Sequence, residues 1–257
     1  MNIFSLMYHD VVEPGAWESS GFSGSGAAVY KLEREEFGRH LDAIAATGVR
    51  VATATEPLAD GSAMLTFDDG GVGAITLAAK MLEKHGWTGH FFVTTDRIGT
   101  PGFLSREQIQ EMRRRGHVIG SHSCSHPTRM ANCTREELQR EWRESVRALE
   151  DILSEPVTVA SVPGGYYSRA VGATAAEAGI RVLFNSEPTA GVSRTGECLL
   201  LGRYWIQRGM PPGLSGAFAA GRLGPRWKQS ALFQIKKLAK AAGGKAYLSM
   251  RERLLKG

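Results

Sequence analysis

Short apolar runs alternate with amphipathic stretches along nearly the whole chain. Residues 2–9 open with such a run and predict a short buried strand. Leu32, Phe37, Leu41, Ile44 and Ala45 recur at near-helical spacing, with Gly48 as the stop. Met64-Leu65-Thr66-Phe67 predicts a strand that delivers Asp68 and Asp69 at its C-terminal end. A helix over 72–85 and a strand at His90–Val93 follow. Ser105 with Gln108, and Thr134 with Glu137, have the spacing of capping boxes. They open helices expected to run to Arg115 and to about Leu153. Between them, His117-Val118-Ile119-Gly120 reads as a strand. Strands near 157–162, 180–184 and 198–206, with a helix between the first two, complete the body.

Strands alternating with helices imply an α/β fold with a parallel sheet or barrel, in which functional groups gather at the C-terminal ends of strands. The length of 257 residues suits one domain of that kind, and a 42% hydrophobic, 22% charged composition supplies a core. Residues 13–28, rich in glycine and serine and carrying Trp17 and Phe22, read as a mobile loop with aromatic contacts. No stretch approaches the roughly 18 apolar residues of a membrane span. Met1–Met7 lacks a basic signal-peptide start, and Cys124, Cys133 and Cys198 form an odd set without CxxC spacing. Both features set the expectation of a cytoplasmic protein.

The candidate chemistry lies in two segments, Thr66-Phe67-Asp68-Asp69-Gly70 and Ser121-His122-Ser123-Cys124-Ser125-His126-Pro127. An adjacent carboxylate pair and two histidines four residues apart, each at a strand end, are the groups needed to hold one divalent metal and leave a base beside it. Nitrogen ligands with one carboxylate oxygen suit zinc, and a three-ligand set leaves a position open for water. On a helical turn Cys124 would face away from His122, so it reads as a bystander thiol. His40, His85, His90 and His117 have no such partners and read as structural or exposed. Ser123 stands where an HExxH peptidase has its glutamate, which argues against that class.

These segments resemble the polysaccharide deacetylase (NodB-homology) family of carbohydrate esterases, with its TFDDG strand end and H-(S/T)-x-x-H motif. The supporting Phe-Phe-Val strand and Gly-His-Val-Ile-Gly-Ser-His approach resemble it too, over roughly residues 1–210. The resemblance implies an irregular, incomplete (β/α) barrel, with Asp69, His122 and His126 as metal ligands and Asp68 as catalytic base. The usual family carries its acid histidine in a late Leu-x-His strand, but here that strand reads Leu201-Gly202-Arg203-Tyr204-Trp205. The opening Tyr8-His9-Asp10-Val11 resembles the circularly permuted members that act on exopolysaccharides, and so implies His9 as general acid. Ser161-Val162-Pro163-Gly164-Gly165-Tyr166-Tyr167 resembles the family's Arg-x-Pro-x-Gly groove motif with Ser161 in place of the arginine that orients the base. Arg203 is the candidate substitute. Arg203 and Pro163, Gly164, Gly165, Tyr166 and Tyr167 are expected near the substrate, the tyrosines as sugar-stacking rings and Tyr166 close to the oxyanion amide.

Charge divides the chain unevenly. Residues 222–257 hold ten basic side chains against Glu252, or +9, so the preceding 221 residues carry −4 of the net +5. Residues 211–257 therefore read as a basic helical tail appended to a deacetylase domain at 1–210. Its stripe of Leu232, Ile235, Leu238 and Ala242 beside Lys236, Lys237 and Lys240 fits either peripheral membrane contact or packing on the barrel. An acidic body without a binding motif argues against nucleic acid. The expected activity is metal-dependent removal of an N-acyl group, acetyl first, from an N-acetylated sugar in polysaccharide or lipid-linked glycan assembly, in the cytoplasm or at the inner membrane surface. Hydrolysis of a non-sugar C–N bond, as in allantoinase-like relatives, and a non-catalytic, metal-retaining role in a polysaccharide assembly are the alternatives.

Overall fold

Five consecutive buried residues require cover on both faces of a strand, and Phe4–Tyr8 (β1) and Ala63–Phe67 (β4) both have it. In the computed structural model, which describes residues 1–237, they are parallel neighbours within a nine-stranded sheet. The other strands are His90–Val93 (β5), Val118–Ser121 (β6), Val159–Ser161 (β7), Val182–Phe184 (β8), Ser193–Thr195 (β9), Cys198–Leu201 (β10) and Arg203–Trp205 (β11). The order is β11-β1-β4-β5-β6-β7-β8-β10-β9, parallel except for β9. Asp10–Val12 (β2) and Lys31–Glu33 (β3) pair in a small parallel sheet of their own.

The run over 198–206 is not the single strand its hydrophobicity predicts. β10 pairs with β8 and β11 with β1, at opposite ends of the sheet order, although only Gly202 separates them. One residue spans at most about 3.6 Å, so the sheet must curl until its two ends meet at Gly202. A Cβ there would lie 2.3 Å from the Glu187 carbonyl oxygen, which only glycine avoids. The result is the expected incomplete barrel.

Helices cover the outside: the one-turn Ser25–Ala28 (α1), Arg34–Ala45 (α2), Ala79–Lys84 (α3), Arg106–Arg114 (α4), Arg135–Leu153 (α5), Arg169–Glu177 (α6) and Gly213–Ala219 (α7). Both capping boxes form as expected. Leu32 belongs to β3 instead of the helix, and Ala45 is exposed, because α2 begins only at Arg34 and buries Phe37, His40, Leu41 and Ile44. The helix expected over 72–85 starts as a π-helical turn, Ala74–Ala78. In α7, Phe218 and Ala219 are buried, and Ser215 joins the Tyr8 hydroxyl (3.0 Å) to His40 Nδ1 (2.6 Å), so the packed body continues past the change in composition at 211. Residues 223–237 are helical. Leu238, Lys240 and Ala242, part of the expected apolar and basic tail, lie outside the described residues.

Period-two alternation sorts the strand residues between two cores. Leu6, Tyr8, Leu65 and Phe67 face the helices, within the larger cluster. Ile3, Met64, Phe92, Val118, Val159 and Phe184 form a smaller cluster on the other face, inside the barrel. Continuing the inner alternation brings His9 after Ile3, Asp68 after Met64, His122 after Val118 and Ser161 after Val159. The polar groups therefore sit above an apolar floor.

Candidate metal centre

The turn after β4 separates two adjacent carboxylates. Asp69 has φ 76° and Gly70 φ 83°, and the Asp68 amide is held by the Tyr8 carbonyl oxygen (3.1 Å). Asp69 Oδ1 lies 3.5 Å from Nε2 of both His122 and His126. The ligand atoms of these three residues all fall within 4.8 Å of one another. Donors about 2.1 Å from a tetrahedral ion stand roughly 3.4 Å apart, so the cluster fits a divalent metal with a coordination position to spare. Burial opposes ionisation of Asp69, but hydrogen bonds from the two histidines outweigh it and hold the carboxyl well below the usual range.

His122 and His126 do not share a helical turn, contrary to the sequence reading: residues 122–127 form an irregular loop with positive φ at Ser123 (63°) and His126 (60°). Such backbone in non-glycine residues needs outside support. Glu141, buried on the apolar stripe of α5, provides it. Its Oε2 accepts from the amides of Cys124 (3.0 Å) and Ser125 (2.8 Å), and its Oε1 from the Ser125 hydroxyl (2.6 Å). A glutamate among Leu138, Trp142 and Leu149 was the signal available in the sequence. Cys124 is indeed outside the ligand cluster. Its thiol donates to Asp96 Oδ1 (3.0 Å), and burial with the nearby Asp96 pushes its pKa up to about 12. His40, His90 and His117 are buried and bonded within the fold, and His85 stacks on Trp87.

Asp68 belongs to a different network. Arg203, fully buried, donates from two nitrogens to its two oxygens (2.7 and 2.8 Å) and from a third to the Asn185 carbonyl (3.0 Å). Arg203 thus braces Asp68 from inside the barrel and does not line an open groove. Burial opposes ionisation of Asp68, yet the Arg203 charge and the neighbouring His122 prevail and lower its pKa. Ser161 Oγ joins the networks, donating to Asp68 Oδ1 (2.9 Å) and lying 2.5 Å from His122 Nδ1. With the hydroxyl proton on Asp68, Ser161 accepts from Nδ1–H, which leaves His122 Nε2 with the free lone pair a ligand needs. The serine in the arginine's sequence position therefore orients both a base candidate and a ligand.

His9 is brought to the same centre. Burial lowers its pKa against the opposing fields of Asp69 and Asp68, its Nδ1 is buried without a partner among the described residues, and its ring packs on Tyr30 at 4.4 Å. Phe22 from the glycine-rich loop packs on the His126 ring at 4.9 Å, a contact the sequence suggested only as "aromatic". Of the groove residues, Pro163 is buried and Gly164 exposed, while Tyr166 is half-buried under the Arg129 guanidinium. Tyr167 turns into the body, its hydroxyl 2.7 Å from Thr195 Oγ1, and is a loop anchor.

The loop is tied down beside the site by Lys31, whose buried ammonium donates to the carbonyls of Trp17 and Ser20. Next to it, burial pushes the Asp10 carboxyl up to about 7. A folded-state pKa raised from 3.8 stabilises the fold below about pH 4, and that contribution is lost as pH rises through 7. From 3.8 to about 7 is roughly three pKa units at about 1.4 kcal/mol each, so the Asp10→Asn protein should lack a decline on the order of 4 kcal/mol that wild type shows between pH 4 and 8, measured by urea unfolding. Parallel profiles would remove this role for Asp10.

The pattern that defines the family described as "Polysaccharide deacetylase" matches residues 55–183, half of the chain. The chain belongs to the polysaccharide deacetylase family. YxkH of Bacillus subtilis (strain 168), named for the same family, is 26% identical over 222 residues, 83% of this chain and 74% of the relative. Among solved structures, IcaB from Ammonifex degensii superposes with a TM-score of 0.69 at 22% identity, covering 85% of this chain and 97% of IcaB. The Streptococcus pyogenes deacetylase PplD, solved with acetate, superposes with a TM-score of 0.68 at 21% identity, covering 82% of this chain and 95% of PplD. At those identities the likeness speaks to the fold. Family membership makes this deacetylase a hydrolase of acetylated sugars. The matched segment contains Asp68, Asp69, His122, His126 and Ser161, whereas His9 and Arg203 enter from outside it.

Proposed function

We propose that the protein is a metal-dependent deacetylase that hydrolyses the N-acetyl amide of an N-acetylated sugar, with zinc as the metal best suited to its donors. The observation that carries this reading is the division of labour between neighbours: Asp69 faces two imidazoles, while Asp68 is held out of that cluster by Arg203. Asp69, His122 and His126 would hold the ion. When bound, such a metal lowers the pKa of water from 15.7 towards about 7 and polarises a carbonyl. Asp68, ionised by its arginine, takes the proton of the attacking water as the new C–O bond forms. The C–N bond then breaks, and His9 delivers a proton to the leaving nitrogen, giving acetate and a free amine. Free cysteines among the described residues support a reducing compartment, and the setting proposed is exopolysaccharide or glycolipid assembly on the cytoplasmic side of a membrane.

Acetate release from N-acetylglucosamine oligomers tests the reaction. His9→Ala should lower kcat about 10²- to 10⁴-fold, the usual worth of a positioned acid, with metal content unchanged. Full activity in His9→Ala would move the acid elsewhere. Turnover of small ureides with none of N-acetylhexosamines would replace the sugar reading with a non-sugar amidohydrolase.

A further inference from the structure

Four of the five most exposed large apolar side chains among the described residues belong to one helix, residues 223–237: Leu223 (78% exposed), Trp227 (76%), Ile235 (63%) and Leu232 (45%). Leu223, Trp227, Ala231 and Ile235 recur every fourth residue, so they form one line along it, with Leu232 beside them. Positions flanking and opposite this line are fastened to the barrel. Arg226 Nε donates to the Tyr204 hydroxyl (2.8 Å), Gln229 Nε2 to the Trp205 carbonyl (3.0 Å) and Ser230 Oγ to the Pro188 carbonyl (2.5 Å). The helix is thus fixed with its apolar line outward. An exposed patch of this kind on an otherwise well-packed protein marks a contact surface.

Its charge selects the partner. Residues 222–237 contain Arg222, Arg226, Lys228, Lys236 and Lys237 and no carboxylate, and the sequence beyond adds five basic residues against Glu252. Arg226 is held by Tyr204 and Lys237 pairs with Glu187 (3.3 Å), whereas Arg222 and Lys228 are exposed and have no ion-pair partner among the described residues. An apolar line with cations beside it is the pattern of a helix lying in a lipid interface, and polybasic segments are drawn to anionic headgroups. No helix of the described residues is long and apolar enough to cross a membrane. A second copy of the chain would bring like charge to this face.

We propose that the helix over 223–237 docks the enzyme on an anionic phospholipid bilayer. The helix runs along β1 towards the catalytic end of the sheet: Arg226 packs on Phe4 at the start of that strand, while Gln229 is fastened to Trp205, which pairs with Met7, two residues before His9. On the deacetylase reading, the site mouth would then open beside the lipid surface, where lipid-linked glycans are presented.

Sedimentation of the full chain with vesicles tests the docking without reference to turnover. Binding to phosphatidylcholine vesicles containing about one-third phosphatidylglycerol should exceed binding to pure phosphatidylcholine by about tenfold or more, and weaken on raising salt. Leu223→Ser/Trp227→Ser/Ile235→Ser should reduce it by at least about tenfold, and Lys228→Glu should weaken it as well. The triple variant should keep the wild-type circular dichroism and acetate release from soluble oligomers. Equal binding to both vesicles, no binding, or undiminished binding of a folded triple variant overturns the proposal. So does a dimer in gel filtration that the triple substitution abolishes while wild type ignores vesicles. A failed deacetylase reading would appear only in the acetate assay and leaves the vesicle result standing.

Discussion

Arg203→Met is expected to destabilise the protein by about 3–5 kcal/mol, the usual cost of removing one partner from a buried ion pair. Arg203 and Asp68 are both buried, and the guanidinium meets the carboxylate with two parallel hydrogen bonds. Without it, the Asp68 charge would keep only the Ser161 hydroxyl as a direct side-chain donor. Arg203→Lys should not rescue, because an ammonium supplies a point charge and not a planar fork. Arg203→Met combined with Asp68→Asn should recover much of the loss, since neither charge is then stranded. Urea unfolding of the three variants measures this. A loss below about 1 kcal/mol for Arg203→Met, the scale of an exposed pair, would contradict the assignment of Arg203 as the brace of Asp68.

Asp68→Asn is expected to lower kcat by about 10²- to 10⁴-fold while the metal content stays at the wild-type level. The two effects separate because Asp68 is bonded to Arg203 and Ser161 and lies outside the ligand cluster. An asparagine can accept the same hydrogen bonds at one oxygen but cannot take a proton from water. Acetate release with metal analysis of the same preparation checks both halves. Loss of metal in Asp68→Asn would make it a ligand, and unchanged kcat would remove it as the base.

Local patterns were enough to place the strand ends that carry the candidate site. Met64–Phe67 and His90–Val93 are short, mostly apolar runs followed by polar residues, and the capping boxes at Ser105 and Thr134 mark helix starts through contacts three residues long. Such signals put Asp68, Asp69 and His122 at one end of a parallel sheet. What closes the site is non-local. Arg203 meets Asp68 across 135 positions and Ser161 meets it across 93, and no periodicity carries information at that range. The split of 198–206 was hidden for a related reason. Burial makes Cys198–Trp205 read as one strand, while the crossing at Gly202 depends on the approach of Glu187 from another segment. The loop of His122 to His126 was misread as a helical turn because four-residue spacing is all a sequence offers there, and its geometry is set by Glu141 on α5. The tail's amphipathic stripe was legible as a pattern, but only the packing of Gln229 and Ser230 showed which face points outward.

The central claim is that Asp69, His122 and His126 bind one divalent ion on which sugar deacetylation depends. The most direct measurement is metal per chain and acetate release for wild type and Asp69→Ala, each assayed as purified, after chelation and after restoring the ion. One ion per wild-type chain, activity that disappears on chelation and returns with the ion, and neither metal nor activity in Asp69→Ala is the predicted result. Undiminished acetate release from chelated wild type, or an Asp69→Ala protein that keeps both its metal and its turnover, would contradict it.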